Sequence, residues 1–480
     1  MLIYLADLVH DQYRQSSVTP TNIGFIAEYC KARFGESVEI ELFKNPKALM
    51  DSSSLRKPDI LGLSNYMWNE RLNAFVAEKL KKQHEDLMVV VGGPNIRTDK
   101  EGVGSFLREY NFIDFYILYG AEEPFASLVE ACLGNGIKST KFSDIEGCYS
   151  VRDDTVLGSA YITSSKTLDF IPSPFLSGRL DSFLEKGYSP LFETNRGCPY
   201  SCTFCVWGIS ALNKIKTFDL DRVKEELSYV ARKYPVASTW ILADANFGIM
   251  PRDLEIAELL RSIYNDTRAF NHVNIWWSKA VNHRTVEIAK ILGKLCQAYV
   301  AFQSLDDEVL NLIKRSNISV EKLQAFKDEI KDHTNGTFTD ILLGLPGETM
   351  ESHIYSYNRA LTLGFDRIGG GEVRLLPGSE MDTEEARHDF GLKTKYRVSE
   401  SDAGVYEGQF VFEVEEVVRA TNWITEEEML QLRVIRALLY GALTIGALTP
   451  LQKFLISVVH PQTCTNPPGH ACLVGLVVAL

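Results

Sequence analysis

Short apolar runs alternate with amphipathic stretches through the first 148 residues, and this alternation restricts the fold more than any other feature of the chain. Runs at 2–5, 38–42, 60–63, 88–91 and 115–118 have strand length and are rich in Ile, Val and Leu. Between them, stretches such as 22–33 and 71–84 carry apolar residues at helical spacing. Strand followed by helix followed by strand implies parallel βαβ units, hence an α/β fold with an open, doubly wound sheet. Ligands of such sheets bind at the carboxyl ends of the strands, beside the point where strand order reverses. The special residues fall there: Asn65-Tyr66-Met67-Trp68-Asn69 after the third strand, Gly92-Gly93-Pro94-Asn95 after the fourth, and Gly120-Ala121-Glu122-Glu123 after the fifth. Glycines at these positions let the backbone approach a ligand without a side-chain clash.

The alternation resumes at Tyr188 with six strand candidates, near 190–194, 239–242, 273–277, 299–301, 338–343 and 368–376. Six βα units imply a partial barrel, short of the eight that close a full one. The expected organisation is a first domain at 1–148, a connector at 149–187, a partial barrel at 188–385, a small, mostly helical C-terminal region at 386–458 and a disordered tail at 459–480. Pro172 and Pro174 in the connector forbid regular helix there.

After the first strand of the second unit stands Cys198-Pro199-Tyr200-Ser201-Cys202-Thr203-Phe204-Cys205, with cysteines spaced C-x3-C-x2-C. Four thiolates complete the ligation of an iron–sulfur cube. Three leave one iron open to a reacting molecule. A structural zinc site wants four nitrogen or sulfur ligands, and no histidine or further cysteine lies near the loop. A disulfide would strand one thiol and need an oxidising compartment. The other six cysteines, Cys30, Cys132, Cys148, Cys296, Cys464 and Cys472, are scattered, mostly in apolar surroundings as core thiols are. Cys464, His470 and Cys472 in the Pro-rich tail make a poor metal set.

This cysteine loop resembles the signature of the radical S-adenosylmethionine (SAM) superfamily. The resemblance implies a four-iron four-sulfur cluster on Cys198, Cys202 and Cys205, its open iron chelated by the amino and carboxylate groups of SAM. Reductive cleavage of SAM would then release a 5'-deoxyadenosyl radical. It also implies SAM contacts from Phe204, from Asp244 and Asn246 after the second barrel strand, from Ser278 after the third, and from Gln303 and Ser304 after the fourth. Arg315, on the helix that follows, is suited to a bidentate carboxylate contact or to a solvated helix end. Leu345, in Gly344-Leu345-Pro346-Gly347-Glu348-Thr349, would pack near the adenine while Glu348 caps the next helix.

The first domain is similar to the flavodoxin-like cobalamin-binding domain of one large radical SAM subfamily. What this implies is a corrin held by Tyr66, Met67, Trp68, Asn69, Gly92, Gly93, Pro94, Gly120 and Glu122; the alternative is that the aromatic cluster packs a domain interface. The D-x-H-x-x-G run that supplies a histidine below cobalt in the best-known cobalamin proteins is missing. Asp7 and His10 are spaced D-x-x-H, so cobalamin without a protein imidazole is the expectation.

The net charge of −13 argues against a broad phosphate-binding surface, and hence against nucleic acid. The first residues lack a basic n-region, and the apolar stretch at 434–459 is broken by Arg436, Pro450 and Lys453, so neither a signal peptide nor a membrane span is expected. The expected protein is a cytoplasmic, cobalamin-dependent radical SAM methyltransferase of small-molecule or natural-product metabolism, served by an electron donor such as flavodoxin or ferredoxin. Alternatives are a ring-forming, rearranging or oxidising enzyme with the same cofactors, and a non-catalytic corrin sensor. Transfer-RNA methylthiolation is disfavoured, because no second cysteine triad precedes the loop. Glu193, Lys279, Glu372 and Arg374 are expected to face the barrel interior or its rim.

Overall fold

The structure, a computed structural model, describes residues 1–11, 17–141, 143–235, 238–279 and 281–441. The tail at 459–480, with Cys464, His470 and Cys472, lies outside the described residues, as does the C-terminal region beyond 441.

Five parallel strands form the first sheet: β1 (Leu2–Ala6), β2 (Glu39–Phe43), β3 (Ile60–Ser64), β4 (Met88–Gly92) and β5 (Phe115–Ile117). Their order is β2-β1-β3-β4-β5, the flavodoxin-like order, which puts the switch point between β1 and β3. Helices cover both faces, so the central strands are apolar throughout. Ile60, Met88 and Val90 pack with Ile23, Ala27, Phe125 and Leu128 on one side. Leu61, Leu63, Val89 and Val91 pack with Val76, Leu80 and Leu107 on the other. The sheet then continues through β6 (Cys148–Arg152) and β7 (Thr155–Leu157), an antiparallel hairpin that takes up the start of the stretch read as a connector.

In the second half, β8 (Leu191–Phe192) leads to a short antiparallel ribbon, β9 (Asn195–Arg196) with β10 (Lys216–Thr217), which brackets the cysteine loop. Strands β11 (Ser238–Phe247) and β12 (Phe270–Trp277) join β8 in one parallel three-stranded sheet. A second is formed by β13 (Ala298–Tyr299), β14 (Thr337–Asp340) and β15 (Arg367–Gly369). Trp277 spans the two, its Nε1 donating to the Gln297 carbonyl at 2.8 Å. Trp240, Phe270, Phe302 and Ile341 belong to one core shared by both sheets.

Beyond the barrel strands, where a mostly helical region was expected, lies a long hairpin, β16 (Lys393–Tyr406) and β17 (Gln409–Ala420), and only then the helix Glu426–Leu439 with a Thr425/Glu428 capping box. Glu372 and Arg374 are bound to these elements: Glu372 pairs with Arg397, Arg419 and Arg433, and Arg374 with Glu415. Both were expected at the barrel interior or its rim, and these ion pairs tie them to the hairpin and the helix that follows.

The hairpin also reaches the first domain. Buried Glu413 accepts from the backbone N–H of Arg71 and of Leu72, both at 2.9 Å, in the first turn of helix Glu70–Gln83. It also meets His10 Nε2 at 3.0 Å, while Tyr406 Oη lies 3.1 Å from His10 Nδ1. A carboxylate at a helix N-terminus satisfies donors that the helix cannot. Glu413→Ala leaves these donors buried without a partner and should destabilise the protein by at least about 2 kcal/mol; urea unfolding checks this, and an unchanged midpoint would exclude the clasp.

Candidate active site

The cysteine loop is shaped by its glycines. Gly197 has φ +110°, and a Cβ there would stand 2.3 Å from the Lys214 carbonyl oxygen. A Cβ on Gly208 would stand 2.5 Å from the Cys202 carbonyl oxygen. Backbone bonds pin the loop: Cys198 N–H to Leu212 O at 3.0 Å, Thr203 N–H to Ile313 O at 3.2 Å, and Met381 N–H to Thr203 O at 2.9 Å. Cys198 and Cys202 are buried and Cys205 is partly so.

Three polar side chains meet the thiols. Asn246 Nδ2 lies 3.2 Å from Cys198 Sγ, Lys279 Nζ 2.8 Å from Cys202 Sγ, and Arg315 Nη1 4.0 Å from the same sulfur. Burial raises the Cys205 thiol pKa, and the Lys279 ammonium pulls it down. Among the described residues no three His, Cys, Asp or Glu side chains are placed to share a single metal ion. An iron–sulfur cube asks for something else, soft thiolates each on its own corner. Three cysteines on a pinned loop, with two cations beside one of them to offset cluster charge, fit that group. Cys30, Cys148 and Cys296 differ, since burial pushes each thiol up to about 12; such thiols are inert.

Around this loop the SAM candidates divide. Asn246 Oδ1, Ser278 Oγ and Gln303 Oε1 are buried, without a hydrogen-bond partner among the described residues. Three such atoms at successive strand ends, close to the cysteine loop, fit a polar ligand. Gln303 is held at φ +61°. Arg315 is buried rather than solvated, and one guanidinium nitrogen donates to the Ala301 carbonyl.

The rest are structural in their contacts. Asp244 and Asn246 lie within β11, not after it. The Asp244 carboxylate accepts from Thr194 N–H (2.8 Å), Thr194 Oγ1 (2.5 Å) and Asn195 N–H (3.1 Å). It therefore braces the strand that feeds the cysteine loop. Ser304 Oγ accepts from Asp306 N–H at 3.2 Å. Phe204 packs on the cluster containing Leu345, Val309 and Met381. Glu348 does not cap the next helix; Thr349 and Ser352 do. Glu348 accepts from Gly344 N–H at 2.6 Å and meets His353 Nδ1 at 2.8 Å, closing its own loop.

A cavity of about 640 Å³ opens between the strand ends of the first sheet and the cysteine loop. Tyr66, Trp68, Gly92, Gly93, Pro94, Gly120 and Glu122 line it from the first sheet, and Val206, Trp207 and Ile209 from the cysteine side. Tyr66 and Trp68 stack with ring centroids 4.4 Å apart and an interplanar angle of 6°. Gly93 has φ +136°, and a Cβ there would meet Asn65 O at 2.4 Å. Met67 and Asn69 do not line the cavity. Asn69 is fully buried and holds the loop, bonding Tyr66 N–H at 2.8 Å and Leu8 O at 2.9 Å. Glu193 and Arg196 also line it; sequence reading gave Arg196 no role, although its place two residues before Cys198 was visible.

Residues 192–359 match the radical SAM superfamily. The chain carries a radical SAM domain. Over 350 residues it is 32% identical to the cobalamin-dependent radical SAM methyltransferase TokK of Streptomyces tokunonensis, covering 70% of this chain and 50% of that protein. It is 31% identical over 369 residues to a 2-(S-pantetheinyl)-carbapenam-3-carboxylate methyltransferase of Streptantibioticus cattleyicolor, covering 73% and 53%. The chain spans about half the length of the curated relatives it matches. In fold, it resembles the radical SAM methyltransferase TsrM from Kitasatospora setae (TM-score 0.62, 14% identity, 87% of this chain and 85% of that one). It also resembles the cobalamin-dependent radical enzyme OxsB (TM-score 0.59, 13% identity, 96% and 69%).

Asp244 gives the radical SAM half a pH signature. Burial raises its pKa from 3.8 to about 7. The unfolded carboxyl loses its proton first, so stability should fall as pH rises from about 4 to about 7, then level. Asp244→Asn should flatten that fall in urea titrations run across the window; an equally steep fall in the variant would contradict the assignment.

Proposed function

We propose that this protein is a cobalamin-dependent radical SAM methyltransferase acting on a small molecule. The observation that carries the reading is the shared cavity, one wall made by strand ends of the flavodoxin-like sheet and the other by residues flanking the cysteine loop, Gly197, Val206, Trp207 and Ile209. Residues 1–148 would hold cobalamin and residues 188–385 the cluster and SAM. Bound there, the cluster and SAM supply a 5'-deoxyadenosyl radical and cobalamin supplies a methyl group.

The chain's own residues do the holding and the shielding. Cys198, Cys202 and Cys205 ligate the cluster, with Lys279 and Arg315 offsetting its charge. Asn246, Ser278 and Gln303 bond the polar parts of SAM. Tyr66, Trp68, Gly92, Gly93, Pro94, Gly120 and Glu122 receive the corrin. Leu63, Val90, Ile117 and Phe125 line the cavity as well, and an apolar wall keeps water from a reactive species. Placing both reactants on one substrate replaces a bimolecular encounter and can lower a barrier by about 7–11 kcal/mol.

The names of the relatives favour a natural-product substrate, with a carbapenam carboxylate as the first to try. A small redox protein such as flavodoxin or ferredoxin would deliver the electron. A cytoplasmic site fits this chemistry; no helix among the described residues is long and apolar enough to cross a membrane.

The test is anaerobic turnover with labelled methyl-SAM. A methylated product should appear with both 5'-deoxyadenosine and S-adenosylhomocysteine, and alanine at Cys198, Cys202 or Cys205 should abolish deoxyadenosine formation while Cys30→Ala keeps it. An unmethylated product with deoxyadenosine but no adenosylhomocysteine would favour rearrangement or oxidation instead.

A further inference from the structure

An ion network in the cavity wall joins the two halves of the chain. Arg196 sits on β9, two residues before Cys198. Its Nε donates to Glu193 Oε2 at 2.8 Å, and its Nη1 lies 2.8 Å from Glu122 Oε1. Glu122 is the first residue of the helix Glu122–Asn135, at the end of β5. The guanidinium carbon lies 5.3 Å from the centroid of the Phe25 ring and 6.0 Å from that of Phe218. One cation from the radical SAM half is thus gripped by a carboxylate of each half.

The chemistry makes this grip stiff. An arginine fork fixes direction as well as distance, so it holds two carboxylates in one arrangement. The aromatic faces restrain the guanidinium further and favour its charge. Glu122 is almost fully buried. Loss of Arg196 would leave two carboxylates in the same wall without their cation, the nearly buried Glu122 worst placed to be solvated instead. Glu122, Glu193 and Arg196 all line the cavity, so a molecule filling it presses on the network directly.

We propose that Arg196 is a positioning residue that ties the Gly120–Glu122 loop to the cysteine loop, so that filling the corrin site is felt at the cluster site. This rests on the reading that a corrinoid occupies the cavity. Coupling between two sites is reciprocal in affinity: if cobalamin changes how tightly the cluster is held through Arg196, the cluster changes cobalamin affinity by the same factor.

The experiment titrates hydroxocobalamin into the full chain before and after anaerobic cluster reconstitution. The wild type should bind it more tightly with the cluster, by about fivefold or more, and cobalamin should shift the electron paramagnetic resonance spectrum of the reduced cluster. In Arg196→Gln both effects should vanish while each cofactor still binds. Glu122→Gln leaves the cysteine strand and the Arg196–Glu193 pair intact; as a corrin-lining residue it lowers cobalamin affinity with and without the cluster alike, so its readout is the ratio of the two, which should fall to one. Arg196→Lys should restore part of the coupling. A wild-type affinity ratio of one, or a ratio unchanged in Glu122→Gln, would overturn the proposal alone. Failure of the wild type to retain any cobalamin would overturn the functional reading and this proposal with it.

Discussion

The polarity of parallel strands organises this molecule. Every strand of a βαβ sheet ends on the same side, because each helix returns the chain to the starting edge. The flavodoxin-like half therefore collects Tyr66, Gly93 and Glu122 on one rim, although they are far apart in sequence. The radical SAM half does the same after β8, where Gly197, Val206 and Trp207 on either side of the cysteines reach the opposite rim. Two such rims facing each other enclose the cavity. Neither half could do so alone, since a single sheet offers only one wall.

Holding the rims face to face takes contacts that neither half supplies by itself. Arg196 with Glu122 acts inside the cavity wall. The β16–β17 hairpin acts outside it, with Glu413 at the start of a first-domain helix and Tyr406 against His10. Arg97 and Asp382 form a further link, with Nε to Oδ2 at 2.8 Å. The same contacts account for His10. Both of its ring nitrogens are engaged by Glu413 and Tyr406, and it does not line the cavity. The only histidine near a metal-binding spacing in the first domain is thus part of the clasp.

What the sequence revealed follows from burial. Strands β1 to β5 stand within a residue or two of their expected places, because a strand buried on both faces leaves an unbroken apolar run. The edge hairpins left weaker marks. Strands β6 and β7 turn at Asp153-Asp154, with φ +45° and +64°; β16 and β17 turn at Glu407-Gly408, with φ +49° and +81°. Positive φ at both turn residues is what a tight hairpin requires, and Asp and Gly tolerate it. Asp-Asp and Glu-Gly between half-polar strands were the available signals. At the site, the C-x3-C-x2-C spacing pointed to the radical SAM domain that residues 192–359 match. The role of Asp244 was not legible, since its carboxylate turns to Thr194 and Asn195, and a brace and a ligand share the same residue type.

The central claim is that corrin and cluster share one cavity, and an anaerobic crystal structure with cobalamin, cluster and SAM tests it most directly. The account predicts the corrin between Gly92–Pro94 and Trp207, with no protein imidazole on cobalt and His10 still bonded to Glu413. A corrin bound elsewhere, or cobalt ligated by His10, would contradict it.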